Sequence, residues 1–566
     1  MNLNDAQKNA VFHPEGNLLV TASPGSGKTR TLVARALHKL ESLPKHKIVG
    51  LITYTNAAAD EISERFPVSK PVFIGTIHRF CLEFVLRPFG WIYNWNIPKI
   101  ITFDQQKIFF EENNDIKLDT KFGQNRHDEL GKIKKTLDGS LDLEVNWEHE
   151  ISLNSVAERY YEFQKSQKVI DFNEILFRSY KLVSENPFIC KSLSSMFFEI
   201  LVDEFQDTNQ FQYEILKKIN SQKLCTFFMV GDNRQKIYSF AGAIENAFAI
   251  AQSDFCAKNI SLKEVFRSTN SIVQSYRKLF NDHPKLENKS INAELEIDLK
   301  FVETDSRNHS TKLEEVVDYL VDEVNINPED IAVLSKSWWS SFNASRILRR
   351  KYEVVGLGAL PHRNQSNSTF LLLKSLSRYY FDPSIRTLKV VRRNVENHLM
   401  EYGLLKDENT INKDTNNLIK YFSGIEFDQS LDDGFDELHS VFGKVFQVSH
   451  SSFFEILGLI SDEEKRYWTI EQYLNTLAGL KGILSNTIHR AKGLEFEAVI
   501  LNGINRGTIP YQETISRNPY TLGELTTYNI EEGRKLFYVA ISRAKKHLII
   551  LHNNYPSMFI DLIKVH

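Results

Sequence analysis

The chain has 566 residues, 42% of them hydrophobic and 25% charged, with a formal net charge of −3. That length suits roughly three to five domains, and the composition is that of a globular chain rather than a disordered or fibrous one. The near-neutral balance excludes a globally basic nucleic-acid binder, so any such contact must come from local patches or from stacking on the 39 Phe and 21 Tyr.

In chain order, the apolar run Asn17–Thr21 predicts a buried strand, and Arg30–Leu40 carries apolar residues at helical spacing. Between them lies Ala22-Ser23-Pro24-Gly25-Ser26-Gly27-Lys28-Thr29. Strand, glycine-rich loop and helix are the context of a phosphate-binding loop. Its backbone N–H groups turn toward an anion, Lys28 reaches the β/γ-phosphates and the Thr29 hydroxyl ligates Mg²⁺. Ala22 stands where the usual pattern has its first glycine, and a residue that small still permits the tight turn. A second apolar strand, Phe197–Val202, ends in Asp203-Glu204-Phe205-Gln206-Asp207-Thr208. Asp203 is placed to hold Mg²⁺, and Glu204 to polarise an attacking water. The two signals together predict a nucleoside triphosphatase.

The block Met229–Ala243 (Met-Val-Gly-Asp-Asn-Arg-Gln-Lys-Ile-Tyr-Ser-Phe-Ala-Gly-Ala) and the acidic segment at 203–208 resemble motifs III and II of superfamily 1A helicases of the UvrD/Rep/PcrA type. The other motifs follow in order. Leu3–Gln7 resembles the Q motif, Leu51–Glu61 motif Ia, and Gly75–Phe80 the next DNA-contacting motif. Val265–Thr269 resembles motif IV, Thr487–Phe496 motif V and Leu536–Ala544 motif VI. Ile170–Glu174 matches the segment that returns such chains to the first motor domain. The resemblance spans nearly the whole chain.

It implies an α/β fold of two RecA-like doubly wound motor domains with mainly helical insertions. It also implies ATP and Mg²⁺ as cofactors, and single-stranded or tailed DNA as a partner travelled 3′→5′. Residue by residue, Gln7 would read the adenine edge, Phe266 would stack on the base and Glu495 would accept from the ribose. Arg267 and Arg543 would reach the γ-phosphate as guanidinium forks supplied across a cleft, and Gln235 would couple that phosphate to the DNA groove. Tyr54, Tyr238 and Phe240 would stack on DNA bases, and His78 and His489 would lie near the groove. Two departures stand out. Motif Ia has Ala57 where the family usually has lysine, and motif III has Ala241 where it usually has arginine, so positive charge is withheld from the DNA path.

Motif spacing predicts a first motor domain over 1–84 and 169–284, interrupted by a helical insertion (1B) over 85–168. A second motor domain is expected over 285–385 and 483–566, interrupted by a reduced helical insertion (2B) over 386–482. The stretch Asp128–Lys135 reads as a solvated helix face. Asp171 and Glu174 read as a capped helix start rather than a metal site. The chain stops soon after the strand Leu548–Leu551, leaving no room for a C-terminal nuclease module. Cys81, Cys190, Cys225 and Cys256 form no C-x-x-C pair, which argues against zinc or iron–sulfur sites and for a reducing compartment. With no apolar leader and no membrane-length run, the sequence reads as cytoplasmic and without a membrane partner.

Three functions compete. The first is an autonomous repair or replication helicase. The second is a DNA-stimulated triphosphatase subunit resembling the helicase-like component of the Gabija anti-phage system, whose partner is a nuclease with an ATPase and a TOPRIM domain. The third, a nucleotide-gated clamp without turnover, conflicts with the presence of Lys28, Glu204, Arg267 and Arg543.

Overall fold

The computed structural model describes residues 3–564, apart from 64, 67–70, 96–98, 102, 117–129, 132, 142–152, 239–241, 363–367, 403, 405–406, 447–451 and 513–521. Its first unit is built on β1 (Leu18–Ala22), β2 (Ile48–Thr53), β3 (Val72–Thr76), β6 (Phe197–Val202), β7 (Thr226–Gly231) and β8 (Lys258–Leu262), which form one sheet ordered β3-β2-β6-β7-β1-β8. A small ladder of β4 (Lys99–Ile100) and β5 (Val169–Ile170) lies apart from it. All pairings in the six-stranded sheet are parallel. Near-continuous apolar runs such as Leu18-Leu19-Val20 allow this, because helices cover both faces of a parallel sheet.

The second unit has the same logic. Its strands β11 (Lys300–Glu303), β12 (Ile331–Ser335), β13 (Val354–Val355), β14 (Ile483–Thr487), β15 (Phe496–Asn502) and β16 (Ala544–His552) form a sheet ordered β11-β16-β15-β12-β14-β13, again parallel throughout. Two parallel sheets of six strands are the two RecA-like domains that the motifs imply. A short parallel ladder of β9 (Glu264–Val265) and β10 (Glu287–Asn288) follows β8, with Val265 and Leu286 buried in the core of the second unit.

One buried side chain ties the nucleotide-side elements together. Arg35, on the helix Lys28–Glu41, donates from Nε and Nη2 to Glu199 of β6 at 2.9 and 2.7 Å. Its Nη1 donates to the carbonyls of Val11 and His13, at 2.9 and 2.6 Å, at and just past the end of the helix Asp5–Val11. The phosphate-loop helix, the strand that delivers Asp203 and the segment that carries Gln7 therefore share one guanidinium. A buried bidentate pair of this kind is costly to break, about 3–5 kcal/mol when one partner is removed.

Three expectations need correction. The helix Asn270–Lys278, assigned from sequence to the first domain, buries Ile272, Val273 and Tyr276 in the core of the second, beside Phe537, Tyr538 and Ile560. Its amphipathic pattern is legible, but nothing local says which sheet its apolar face meets. The helix Ser368–Phe381, assigned to the second motor domain, buries Phe370, Leu373 and Leu376 in the helical cluster with Leu438, Phe442 and Tyr473. The helical unit therefore starts before 386. In the segment 128–135, residues 128, 129 and 132 lie outside the described residues, and Lys135 is not on a solvated helix. It bridges to Leu141, pairs with Glu174 at 2.8 Å and lies 4.0 Å from the Tyr161 ring centre. Asp171 caps the helix Phe172–Glu185 as expected, accepting from the Glu174 N–H at 2.7 Å.

Candidate functional site

The groups expected around the nucleotide gather at the carboxyl edge of the first sheet, where the strand order reverses and where open α/β sheets bind ligands. The loop leaves β1, enters the helix Lys28–Glu41, and places Gly27 at φ 81° as its N-cap. Gly25 and Gly27 are required for space as well as for backbone conformation. A Cβ on Gly25 would stand 2.7 Å from the Arg267 Cβ, and one on Gly27 2.6 Å from Gln7 Nε2. Gln7 donates from that nitrogen to the Ser26 carbonyl at 3.0 Å and is itself fixed by a reciprocal cap with Asn4. The loop and its predicted adenine reader are in contact.

Ala22, Ser23, Pro24 and Ser26 are buried in this turn, and Thr29 is half-buried in the first turn of the helix. The Lys28 ammonium and the Ser26 hydroxyl are buried without a hydrogen-bond partner. Lys28 lies 3.7 Å from Glu204 Oε1 across the loop. Glu204 sits in the left-handed region at φ 48°, a cost for a non-glycine residue that aims its carboxylate back at the loop. Its neighbour Asp203 is buried at the end of β6 and accepts from the Glu204 N–H at 2.9 Å. Burial, with the Glu204 charge beside it, raises the Asp203 carboxyl above the usual carboxylate range. Burial would also raise Glu204, but Lys28 and Lys492 outweigh it and hold Glu204 low and ionised.

The second unit closes this site. Arg543, which precedes β16, is buried and donates to the carbonyls of Val539 and Leu494 at 3.0 and 3.2 Å. Its Nη2 reaches Gln235 Oε1 at 3.5 Å, joining motif VI to motif III. Burial and the nearby Arg267 lower it to about 9, still cationic at neutral pH. Gln235 is oriented by its own donation to Asp232 at 2.9 Å. Arg267 grips Glu495 at 2.7 Å and donates to the Ser542 carbonyl at 3.1 Å. Phe266, whose N–H donates to the Gly25 carbonyl at 2.9 Å, presents a ring that is 41% exposed beside the loop.

One central residue is not singled out by the sequence reading. Lys492, inside motif V, is buried and pairs with Asp207 at 2.5 Å, with Glu204 at 3.8 Å and with the Gln235 carbonyl at 2.8 Å. Burial works against its charge, but Glu204 and Asp207 hold it above the ordinary lysine value. The Ala-Lys-Gly-Leu-Glu wording of 491–495, which carries Glu495, is the signal that could have marked it.

The expected DNA residues are arranged differently. Tyr54 and Tyr238 stack on each other, with ring centres 4.9 Å apart and planes 22° from parallel. Tyr238 donates from its hydroxyl to the His489 carbonyl at 3.1 Å, and the Lys492 ammonium lies 5.2 Å from its ring centre. A base entering between the rings must separate Tyr54 from Tyr238. His78 meets Phe172 edge-on, with centres 5.3 Å apart. Burial lowers both His78 and His489 to about 4, so both are neutral at physiological pH. Phe240 lies outside the described residues. Among the described residues, no helix is long and apolar enough to cross a membrane.

This cleft can be set beside known proteins. The profile of the UvrD/REP helicase N-terminal domain matches residues 3–256, and that of the UvrD-like helicase C-terminal domain matches residues 469–555. The chain belongs to the UvrD/Rep helicase family. Relatives align along nearly all of it at low identity. The DNA helicase II of Rickettsia typhi is 27% identical, over 99% of this chain and 93% of its own length. The ATP-dependent DNA helicase Rep of Buchnera aphidicola (subsp. Schizaphis graminum) is 23% identical, over 98% and 93%. The ATP-dependent DNA helicase PcrA of Staphylococcus aureus is 24% identical, over 99% and 86%.

Proposed function

We propose that this UvrD/Rep-family protein hydrolyses ATP to move 3′→5′ along single-stranded DNA and to open tailed duplexes. The observation that carries this reading is the contact of Arg543 with Gln235, which brings the second half of the chain to the loop and acidic pair of the first. The residues also fit Mg²⁺ and a triphosphate. Lys28 and Ser26 are buried polar groups without partners, and Asp203 is a buried carboxyl beside them. Asp203 and Thr29 would hold the metal, which when bound neutralises phosphate charge and orients the transferring group.

Each side chain then has a task. Ala22, Ser23, Pro24, Gly25, Ser26, Gly27 and Thr29 form the loop, and Lys28 takes the β/γ-phosphates. Glu204, kept ionised, polarises the attacking water. Arg267 exchanges Glu495 for the phosphate, which frees Glu495 to accept from the ribose. Arg543 meets the charge that grows on the γ-phosphoryl oxygens, and Gln235 passes that contact toward Tyr238. Phe266 stacks on the base, whose edge Gln7 reads. Closure of the cleft around the γ-phosphate displaces the units relative to one another. Tyr54, Tyr238 and Phe240 engage bases, and His78 and His489 border the strand.

A second reading, a DNA-stimulated triphosphatase subunit of an anti-phage complex with a nuclease partner, draws support from the alanines at 57 and 241, which weaken strand grip. One experiment separates the two. The purified chain is given ATP and Mg²⁺ with a 3′-tailed or a 5′-tailed duplex. Separation of the 3′-tailed duplex alone supports the motor reading. Turnover stimulated by single strands without strand separation supports the subunit reading, and no turnover removes both.

A further inference from the structure

Behind Gln235 runs a line of hydrogen bonds whose far end lies outside every motif named above. Gln235 donates from Nε2 to Asp232 Oδ2 at 2.9 Å, and its Oε1 faces Arg543. The Tyr538 hydroxyl, on the helix Thr527–Ile541, stands 3.3 Å from that same Asp232 oxygen. It stands closer, at 2.9 Å, to Nε2 of His283. His283 follows the helix Asn270–Lys278. Its backbone N–H donates to the Phe280 carbonyl at 3.1 Å, and its ring packs against Tyr538 and Tyr276, with centres 5.8 and 6.1 Å away. Asp232, Gln235 and Tyr538 are all buried.

The tautomer of the ring follows from its partners. Nδ1 faces the Pro284 carbonyl at 3.0 Å. A carbonyl can only accept, so the neutral ring carries its proton on Nδ1 and leaves Nε2 as an acceptor. The Tyr538 hydroxyl has one proton to give, and His283 takes it. Asp232 Oδ2 is then left to Gln235. Were the hydroxyl to turn to Asp232 instead, two donors would share one oxygen, and the Gln235 amide would be held less firmly. An imidazolium forces that turn, because its Nε2–H donates and leaves the hydroxyl proton only Asp232. Burial above all, then Arg234 and Arg277, lowers His283 below the ordinary histidine value, against the pull of the Pro284 carbonyl and of Asp232. Arg234 is itself tied to Asp282 at 3.2 Å, and Arg534 lies over the Phe280 ring, 5.9 Å from its centre.

We infer that His283 is a positioning residue for hydrolysis, which accepts from the Tyr538 hydroxyl, reserves Asp232 for Gln235 and so fixes the amide that meets Arg543. The assignment rests on the reading of Gln235 and Arg543 as γ-phosphate contacts. The test is steady-state ATPase with single-stranded DNA on paired variants. His283→Asn keeps a donor for the Pro284 carbonyl but loses the acceptor for Tyr538. Its kcat should fall about 3–10-fold, with KM for ATP unchanged. His283→Gln, whose Oε1 stands in for Nε2, should stay near wild type. Adding Tyr538→Phe to His283→Asn removes the competing donor and should restore kcat. Acidification should bring the wild type down toward His283→Asn, while Tyr538→Phe falls less. A readout free of turnover is nitrogen NMR of histidine-labelled, nucleotide-free protein, with the His283 signal identified by its loss in His283→Asn or His283→Gln. The neutral ring should be protonated on Nδ1. Thermal unfolding checks that each variant is folded. If His283→Asn is not, the NMR and the pH comparison of the wild type with Tyr538→Phe decide the matter. A proton on Nε2, undiminished kcat in His283→Asn, a double variant as slow as His283→Asn, or parallel pH profiles of the wild type and Tyr538→Phe overturns the assignment alone. Wild-type turnover by Gln235→Ala overturns the reading of the cleft, and this assignment with it.

Discussion

In the nucleotide cleft almost every charge has a provisional partner, whereas the neighbouring Tyr54 and Tyr238 are held by ring against ring. Glu204 faces Lys28 and Lys492, Arg267 holds Glu495, and Arg543 is tied to two carbonyls and a glutamine. Tyr54 and Tyr238 meet with ring centres 4.9 Å apart, and the Tyr238 hydroxyl donates to the His489 carbonyl at 3.1 Å. On the proposed function, the cleft would bind nucleotide by exchanging partners, with little net change in exposed charge. On the same reading, the tyrosine pair would take bases by stacking, without such an exchange of charge.

The sharpest way to break this picture of the cleft is Arg543→Ala. Turnover should fall about 10³-fold with a much smaller change in nucleotide affinity, because the missing fork acts on the transition state. Arg543→Lys should rescue little, since an ammonium lacks the planar fork. Steady-state ATPase with single-stranded DNA and fluorescent-nucleotide binding measure both, and normal turnover would mean the two units do not share one site. Glu204→Gln comes next, with a loss of about 10²-fold in turnover and binding nearly intact. Lys28→Ala should instead lower affinity and turnover together, seen as a raised KM as well as a reduced kcat.

On the groove side, Tyr54→Ala and Tyr238→Ala should each weaken oligo-dT binding by about 1–3 kcal/mol. Unchanged affinity in both would make the stacked pair a structural joint between the units. The smallest effect belongs to Asn4→Ala, which removes the cap that orients Gln7. Stability should drop by about 1 kcal/mol in a denaturant melt, with a modest rise in KM for ATP. A drop with no change in KM would detach Gln7 from the nucleotide.

The two regions are also unequally legible in the amino-acid sequence. Lys28, Asp203 and Glu204 can be read because phosphate chemistry needs particular residues at fixed short spacings after a strand. The strands that deliver them, β1 and β6, are legible for the same reason. The Arg267–Glu495 pair is not, since it joins positions remote in sequence that meet only once the second unit has folded. Lys492 lies within a recognisable motif, yet a lysine there does not announce which carboxylates it will meet. The helix Asn270–Lys278 is misplaced by sequence because its period fixes a buried face but not the partner.

The strand order of the second sheet has a consequence for synthesis. β16 lies between β11 and β15, so a strand from 544–552 fills a place inside a sheet begun at 300–303. Until that stretch has left the ribosome, β11 and β15 expose unpaired edges and Arg543 is not yet in place. Non-local parallel pairing is also slow to form. A nascent chain can thus complete its phosphate loop long before it can complete its arginine arrangement, and it should bind nucleotide before it can hydrolyse any.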